Sequence, residues 1–140
     1  MDVPSAIGGI EYDRDMHAIA EFACVALGGA IGAVIRFIAT GSLARISGIS
    51  SWVAIIGVNM LGSMLAGVVL GVWAPGEGLA AKAFLLVGVS GGLTTFSTAM
   101  LDGWVLWATD RRRLAWCCLL GTPALSIAGA MIGLLIGGVP

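Results

Sequence analysis

Charge is what this sequence has least of. Only 11% of its 140 residues are Asp, Glu, Lys or Arg, against about a quarter in a soluble domain. So few charges cannot cover a water-facing surface, which excludes a soluble enzyme and makes lipid the expected solvent. The net charge of −1 argues against a nucleic-acid partner. Histidine is nearly absent: His17 stands alone, so no multi-histidine metal site fits within one chain. Cysteine is scarce too, and Cys24, Cys117 and Cys118 lie in apolar stretches without CxxC spacing. They read as inert buried thiols. No GxxxxGK[ST] nucleotide loop occurs. Residues 1–17, with Asp2, Glu11, Asp13, Arg14 and Asp15, lack the basic start and A-x-A site of a signal peptide. They are expected to form a polar, partly disordered tail.

What is abundant is apolar: 59% of residues are hydrophobic and the mean hydropathy is +1.02. Four apolar stretches cover residues 18–40, 52–73, 80–107 and 114–138. Each meets the length of about 20 residues needed to cross the hydrocarbon core. They are continuous rather than alternating, which selects helices, and backbone groups in lipid must be satisfied internally. The expected fold is an all-α membrane protein, with one four-helix transmembrane domain over residues 18–140. Short connectors join the helices at 41–51, 74–78 and 109–113. The 22 glycines suit membrane helices that pack backbone to backbone. Gly28, Gly32, Gly57, Gly62, Gly67 and Gly71 are read as such packing positions.

The third stretch is unlike the others. Gly91-Gly92 lies mid-span, followed by Thr94-Thr95-Phe96-Ser97-Thr98. Two glycines and four hydroxyl residues make a poor continuous helix and a good interruption. Broken helices at mid-membrane commonly build ion sites; a simple packing kink is the alternative. Freed carbonyls there suit a cation, freed amides and hydroxyls an anion.

The segment Gly88-Val89-Ser90-Gly91-Gly92-Leu93-Thr94-Thr95-Phe96-Ser97-Thr98 resembles the GxxGGxTTFST signature of the CrcB/Fluc fluoride channels. Gly28 to Arg36 is similar to that family's GGxxGxxxR, and Val58-Asn59-Met60-Leu61-Gly62-Ser63 to its VNxxGs. The resemblance covers residues 22 to 138. It implies a bacterial inner-membrane protein working as an antiparallel, dual-topology dimer, with fluoride paths at the subunit interface and passive efflux as the activity. It also implies a structural sodium ion on the two-fold axis, held by the backbone carbonyls of Gly91 and Thr94.

Fluoride holds water tightly, so a path for it must offer replacement donors. Asn59 offers N–H groups, Ser97 and Thr98 hydroxyls, and Phe96 an electropositive ring edge. Thr122 and Ser126 share a face of the fourth helix and resemble the family's polar track; the alternative is that each bonds back to its own helix. Arg36 fits a vestibule that draws anions in, or an interfacial arginine snorkelling to water. Asp102 sits where the family commonly has an acid, and physics assigns it no role from sequence.

Two features depart from the family pattern. The signature continues to a second phenylalanine, where this chain has Ala99; Ala99→Phe is the expected way to restore that ring. Ala54-Ile55 stands where Gly-Thr is common. The basic residues are also uneven. Arg45, Arg111, Arg112 and Arg113, with Arg36 nearby, face one side, against Arg14 and Lys82 on the side of the termini. The positive-inside rule then favours termini outside. A chain of fixed orientation needs a partner inserted the other way, so a heterodimer with a similar chain, in which this one is a non-conducting or half-conducting subunit, stands beside the homodimer. A rival from another class is a small proton-coupled drug exporter using Glu21, whose transport Glu21→Gln would abolish.

Overall fold

The computed structural model describes residues 4–46, 48–74 and 76–138. All regular structure among them is helical. Helix α1 covers Pro4–Ile46 and α2 Ser51–Val72. The third span is built of two helices: α3 over residues 79–93 and α4 over Phe96–Ala108. Helix α5, Arg112–Gly137, is the fourth span. Four stretches are long and apolar enough to cross a bilayer: Met16–Ser42, Ser51–Val72, Leu79–Ala108 and Arg112–Gly137. The chain is therefore a multi-pass membrane protein.

The segment expected as a tail is helical from Pro4 onward. At 1.5 Å per residue, the 43 residues of α1 reach about twice the thickness of a hydrocarbon core of roughly 30 Å. The helix therefore continues beyond its apolar stretch.

Helix α2 is the centre. Of its most apolar stretch 44% is buried, against 11% for that of the Met16–Ser42 span of α1. Glycines join the spans as two parallel pairs. On α2 and α5, Gly67 faces Gly133 and Gly71 faces Gly137, and a Cβ on any of the four would strike backbone. On α1 and α3, Gly28 meets Gly88, and Gly92 meets Gly29. Gly62 lies beneath the Thr94 side chain. Gly57 is different: no atom lies within 4 Å of where its Cβ would stand, so its expected packing role is not met within the chain.

Helix α3 widens to π geometry over Ala83–Ser90, where Ser90 Oγ donates to the Leu85 carbonyl five residues back at 2.9 Å. It regains α geometry at Gly91–Leu93 and stops. Thr94 (φ −80°, ψ 152°) and Thr95 (φ −150°, ψ 124°) are extended. The interruption thus falls on the threonines, while Gly91 keeps helical angles of −64° and −41°. Two causes account for this. Gly92 is fixed helically against α1, and β-branched threonines favour extended backbone.

The end of the bundle near the third connector is aromatic and basic. Trp107 and Trp116 meet edge to face at 5.9 Å. Arg112 lies 5.5 Å above Trp107 and 3.3 Å from the Asp110 carboxylate. Tryptophan with arginine is the composition of a membrane–water boundary.

Candidate functional site

Interrupting a helix strands backbone groups, and each must find a partner in a setting without bulk water. Asn59 supplies two at once. Its Oδ1 accepts from the Thr95 N–H at 2.6 Å and its Nδ2 donates to the Thr95 carbonyl at 3.0 Å. The side chain replaces the helix bonds of both backbone groups of Thr95, and one N–H of the amide is left over. Thr95 in turn caps α4: its Oγ1 accepts from the Thr98 N–H and lies 3.1 Å from Thr98 Oγ1 and 3.4 Å from Ser97 Oγ. Arg36 donates from Nη1 to the Thr94 carbonyl at 2.9 Å. It is half-buried and clamps the break from α1.

These anchors hold open a cavity of 330 Å³ between α2, the break and α5. Asn59, Ser63, Thr94, Thr95, Phe96, Thr122 and Ser126 line it, with Met100, Leu119 and Pro123. No lining side chain is charged. The cavity brings together Asn59, Phe96, Thr122 and Ser126 from the sequence-derived set. Ser97 and Thr98 lie outside it, in the hydroxyl cluster on Thr95. Residues 23–134, which include every residue of this cavity, match the family model described as CrcB-like protein, Camphor Resistance (CrcB).

The chain belongs to the CrcB family.

Among the proteins similar to this CrcB chain are three named fluoride-specific ion channel FluC. That of Xanthomonas euvesicatoria pv. vesicatoria is 41% identical over 113 residues, covering 76% of this chain and 84% of the relative. That of Cereibacter sphaeroides is 38% identical over 110 residues, covering 79% and 88%. That of Agrobacterium fabrum is 34% identical over 119 residues, covering 84% and 95%.

The hydroxyls of the CrcB chain differ in what they can offer an anion. Thr122 Oγ1 donates to the Cys118 carbonyl at 2.6 Å, the bond back to its own helix weighed from sequence, so its proton is engaged. Among the described residues Ser63 and Ser126 have no hydrogen-bond partner, and both are half-buried. Their protons are free to turn into the cavity. Phe96 is 76% exposed, its ring directed away from the subunit's own core.

Two carbonyls at the break suit a hard cation. The Gly91 carbonyl would accept the Thr95 N–H in a continuous helix, but that N–H goes to Asn59. Among the described residues only the Thr94 hydroxyl reaches it, at 3.4 Å. The Thr94 carbonyl has likewise lost its helix donor, because the Thr98 N–H turns to Thr95 Oγ1, and it shares its lone pairs with Arg36. Gly91 is exposed and has open space at its Cα. The donor set, neutral backbone oxygens at the break, fits a hard cation such as sodium, although Arg36 adds a positive charge beside it.

Asp102 acquires a role. Its carboxylate accepts from Ser51 Oγ at 3.1 Å, at the first residue of α2, where the helix dipole favours an anion. It ties α4 to the start of α2, outside the cavity. Glu21 lines a separate cavity with His17, Ala20, Leu79 and Ala80.

Ala99 is completely buried, facing the α4–α5 seam, where Cys118 Sγ lies 3.6 Å from its carbonyl. A phenylalanine ring has no room there. The sequence-based expectation that Ala99→Phe restores a pathway ring is therefore corrected. The substitution is expected to destabilise the chain by about 1–3 kcal/mol through overpacking, seen as a lower thermal midpoint of the detergent-solubilised protein. An unchanged midpoint would show that the seam can open. The neighbour that lines the cavity beside Phe96 is Met100.

Proposed function

We propose that this chain is a subunit of a fluoride-selective channel through which the anion leaves the cell passively. The observation that carries the reading is the uncharged, donor-lined cavity at the broken third span, in a chain whose relatives bear the name of fluoride channels. Asn59 keeps one N–H for the ion, Ser63 and Ser126 keep hydroxyl protons, and Phe96 presents a ring whose edge is electropositive. Together they replace hydration without a fixed charge that would trap the ion. Arg36, beside the break, raises the local anion concentration while holding Thr94 in place. The interior-negative membrane potential drives efflux with about 2.3 kcal/mol per elementary charge per 100 mV, so no coupling group is required.

The working unit in this reading is an antiparallel dimer, with a structural sodium ion held by the Gly91 and Thr94 carbonyls of both chains. The outward exposure of Gly91 and Phe96 supports a second chain at this face. Arg45 and Arg111–Arg113 at one end favour a single orientation, which supports a partner chain of opposite bias over a homodimer. Liposomes loaded with fluoride and treated with valinomycin test the reading. Fluoride is expected to leave at least about 100-fold faster than chloride, a discrimination of roughly 2.8 kcal/mol. Equal rates for the two anions would overturn it.

A further inference from the structure

Ser63 lines the cavity with a hydroxyl that has no hydrogen-bond partner among the described residues. It stands four residues after Asn59 on α2, on the same face, and Thr122 and Ser126 repeat that spacing on α5. The glycine contacts fix how the two helices are aligned: Gly67 faces Gly133 and Gly71 faces Gly137. That offset sets Asn59 and Ser126 at nearly one level. Thr122 then lies about one turn toward the helix starts, and Ser63 about one turn toward the helix ends. The four form a polar ladder roughly 10 Å long. Thr122 has its proton engaged, so the free donors are Asn59, Ser126 and Ser63, in that order toward the termini.

Ser63 is also the last polar side chain on that course. From Met64 to Val72 on α2, and from Ile127 to Gly137 on α5, every residue is apolar or glycine. The seam there is closed by glycine backbones in contact. An ion on the ladder cannot continue between the two helices and must leave beside Ser63. Resting on the fluoride-channel reading, we propose that Ser63 is an ion-contacting pathway residue, the donor that hands fluoride between Ser126 and the water on the side of the chain termini. Its hydroxyl bridges the step at which the anion has left Asn59 and has not yet regained its hydration shell.

Fluoride efflux from liposomes tests this, with the full-length chain and its Ser63→Ala and Ser63→Thr variants reconstituted as assembled channels. Ser63→Ala is expected to slow efflux at least ten-fold, and Ser63→Thr, which restores a hydroxyl, to recover most of the rate. Chromatographic profile and thermal midpoint should stay unchanged, which a merely structural serine would not predict. If Ser63→Ala fails to assemble, Ser63→Cys replaces it, a near-isosteric weak donor expected to fall well below Ser63→Thr. Parental efflux in Ser63→Ala or Ser63→Cys overturns the assignment while leaving the channel reading standing. Absence of fluoride efflux from the parent protein, with or without a partner chain, overturns both.

Discussion

Replacing Asn59 with aspartate is expected to reduce fluoride efflux at least about 100-fold while the protein still inserts. The amide does two things that no other residue duplicates. Its oxygen and nitrogen pair both backbone groups of Thr95, at 2.6 and 3.0 Å, and one N–H of this cavity-lining residue is left over. Aspartate keeps an acceptor for the Thr95 N–H, so the α4 entrance stays partly anchored. Its second oxygen, however, faces the Thr95 carbonyl with no proton between them, and its charge repels an anion from the centre of the ladder. The unpaired carbonyl alone costs about 1–3 kcal/mol, and an added like charge in a dry setting deepens the barrier. Asn59→Ala removes both bonds and the donor together, so its loss of flux is expected with a lower thermal midpoint. A fluoride electrode reading within two-fold of the parent for Asn59→Asp would remove Asn59 from the pathway.

Much of this site was legible in the sequence because the chemistry stands in the residue types. An asparagine on an apolar helix and a hydroxyl cluster after two glycines are conspicuous where nearly everything else is hydrocarbon. The four spans follow from length and hydropathy, and their limits agree with the helices to within a few residues except at α1, which begins at Pro4 and runs to Ile46. What sequence could not give was the direction of each proton and the neighbour of each small residue. Thr122 and Ser126 look equivalent four residues apart, yet one is engaged by Cys118 and the other is free. Ser63 reads only as the end of the Val58–Ser63 segment until the register of α2 against α5 sets it on the ladder. Ala99 reads as a missing ring until the α4–α5 seam is seen to leave no space for one. Asp102, without evident purpose in sequence, lies against the start of a helix distant in the chain.

The glycine pair carries the largest expected effect on folding. Gly91, whose carbonyl the family resemblance assigns to a cation, would be the sensitive one if its backbone were not helical. Its angles are helical, and no atom stands within 4 Å of an added Cβ. Gly92 is the opposite. A Cβ there would drive into the Gly29 carbonyl, with the Gly29 Cα and carbonyl carbon both at 3.0 Å. These are backbone atoms of α1, which cannot swing aside as a side chain would. Relief requires the first and third spans to separate, which also pulls apart Gly28 from Gly88 and draws Arg36 off the Thr94 carbonyl. The cost therefore exceeds the roughly 3 kcal/mol usual for overpacking, a large share of the 5–15 kcal/mol that stabilises a typical domain. Gly92→Ala is expected to run as aggregate on fluorescence-detected size exclusion, with no assembled peak. Gly91→Ala should keep the subunit folded, since alanine in a helix is favoured over glycine by about 0.5–1 kcal/mol; under the proposed dimer, any defect should fall on pairing with a second chain. A normal profile for Gly92→Ala, or an aggregated one for Gly91→Ala, would mean that the α1–α3 contact is not what sets the position of the break.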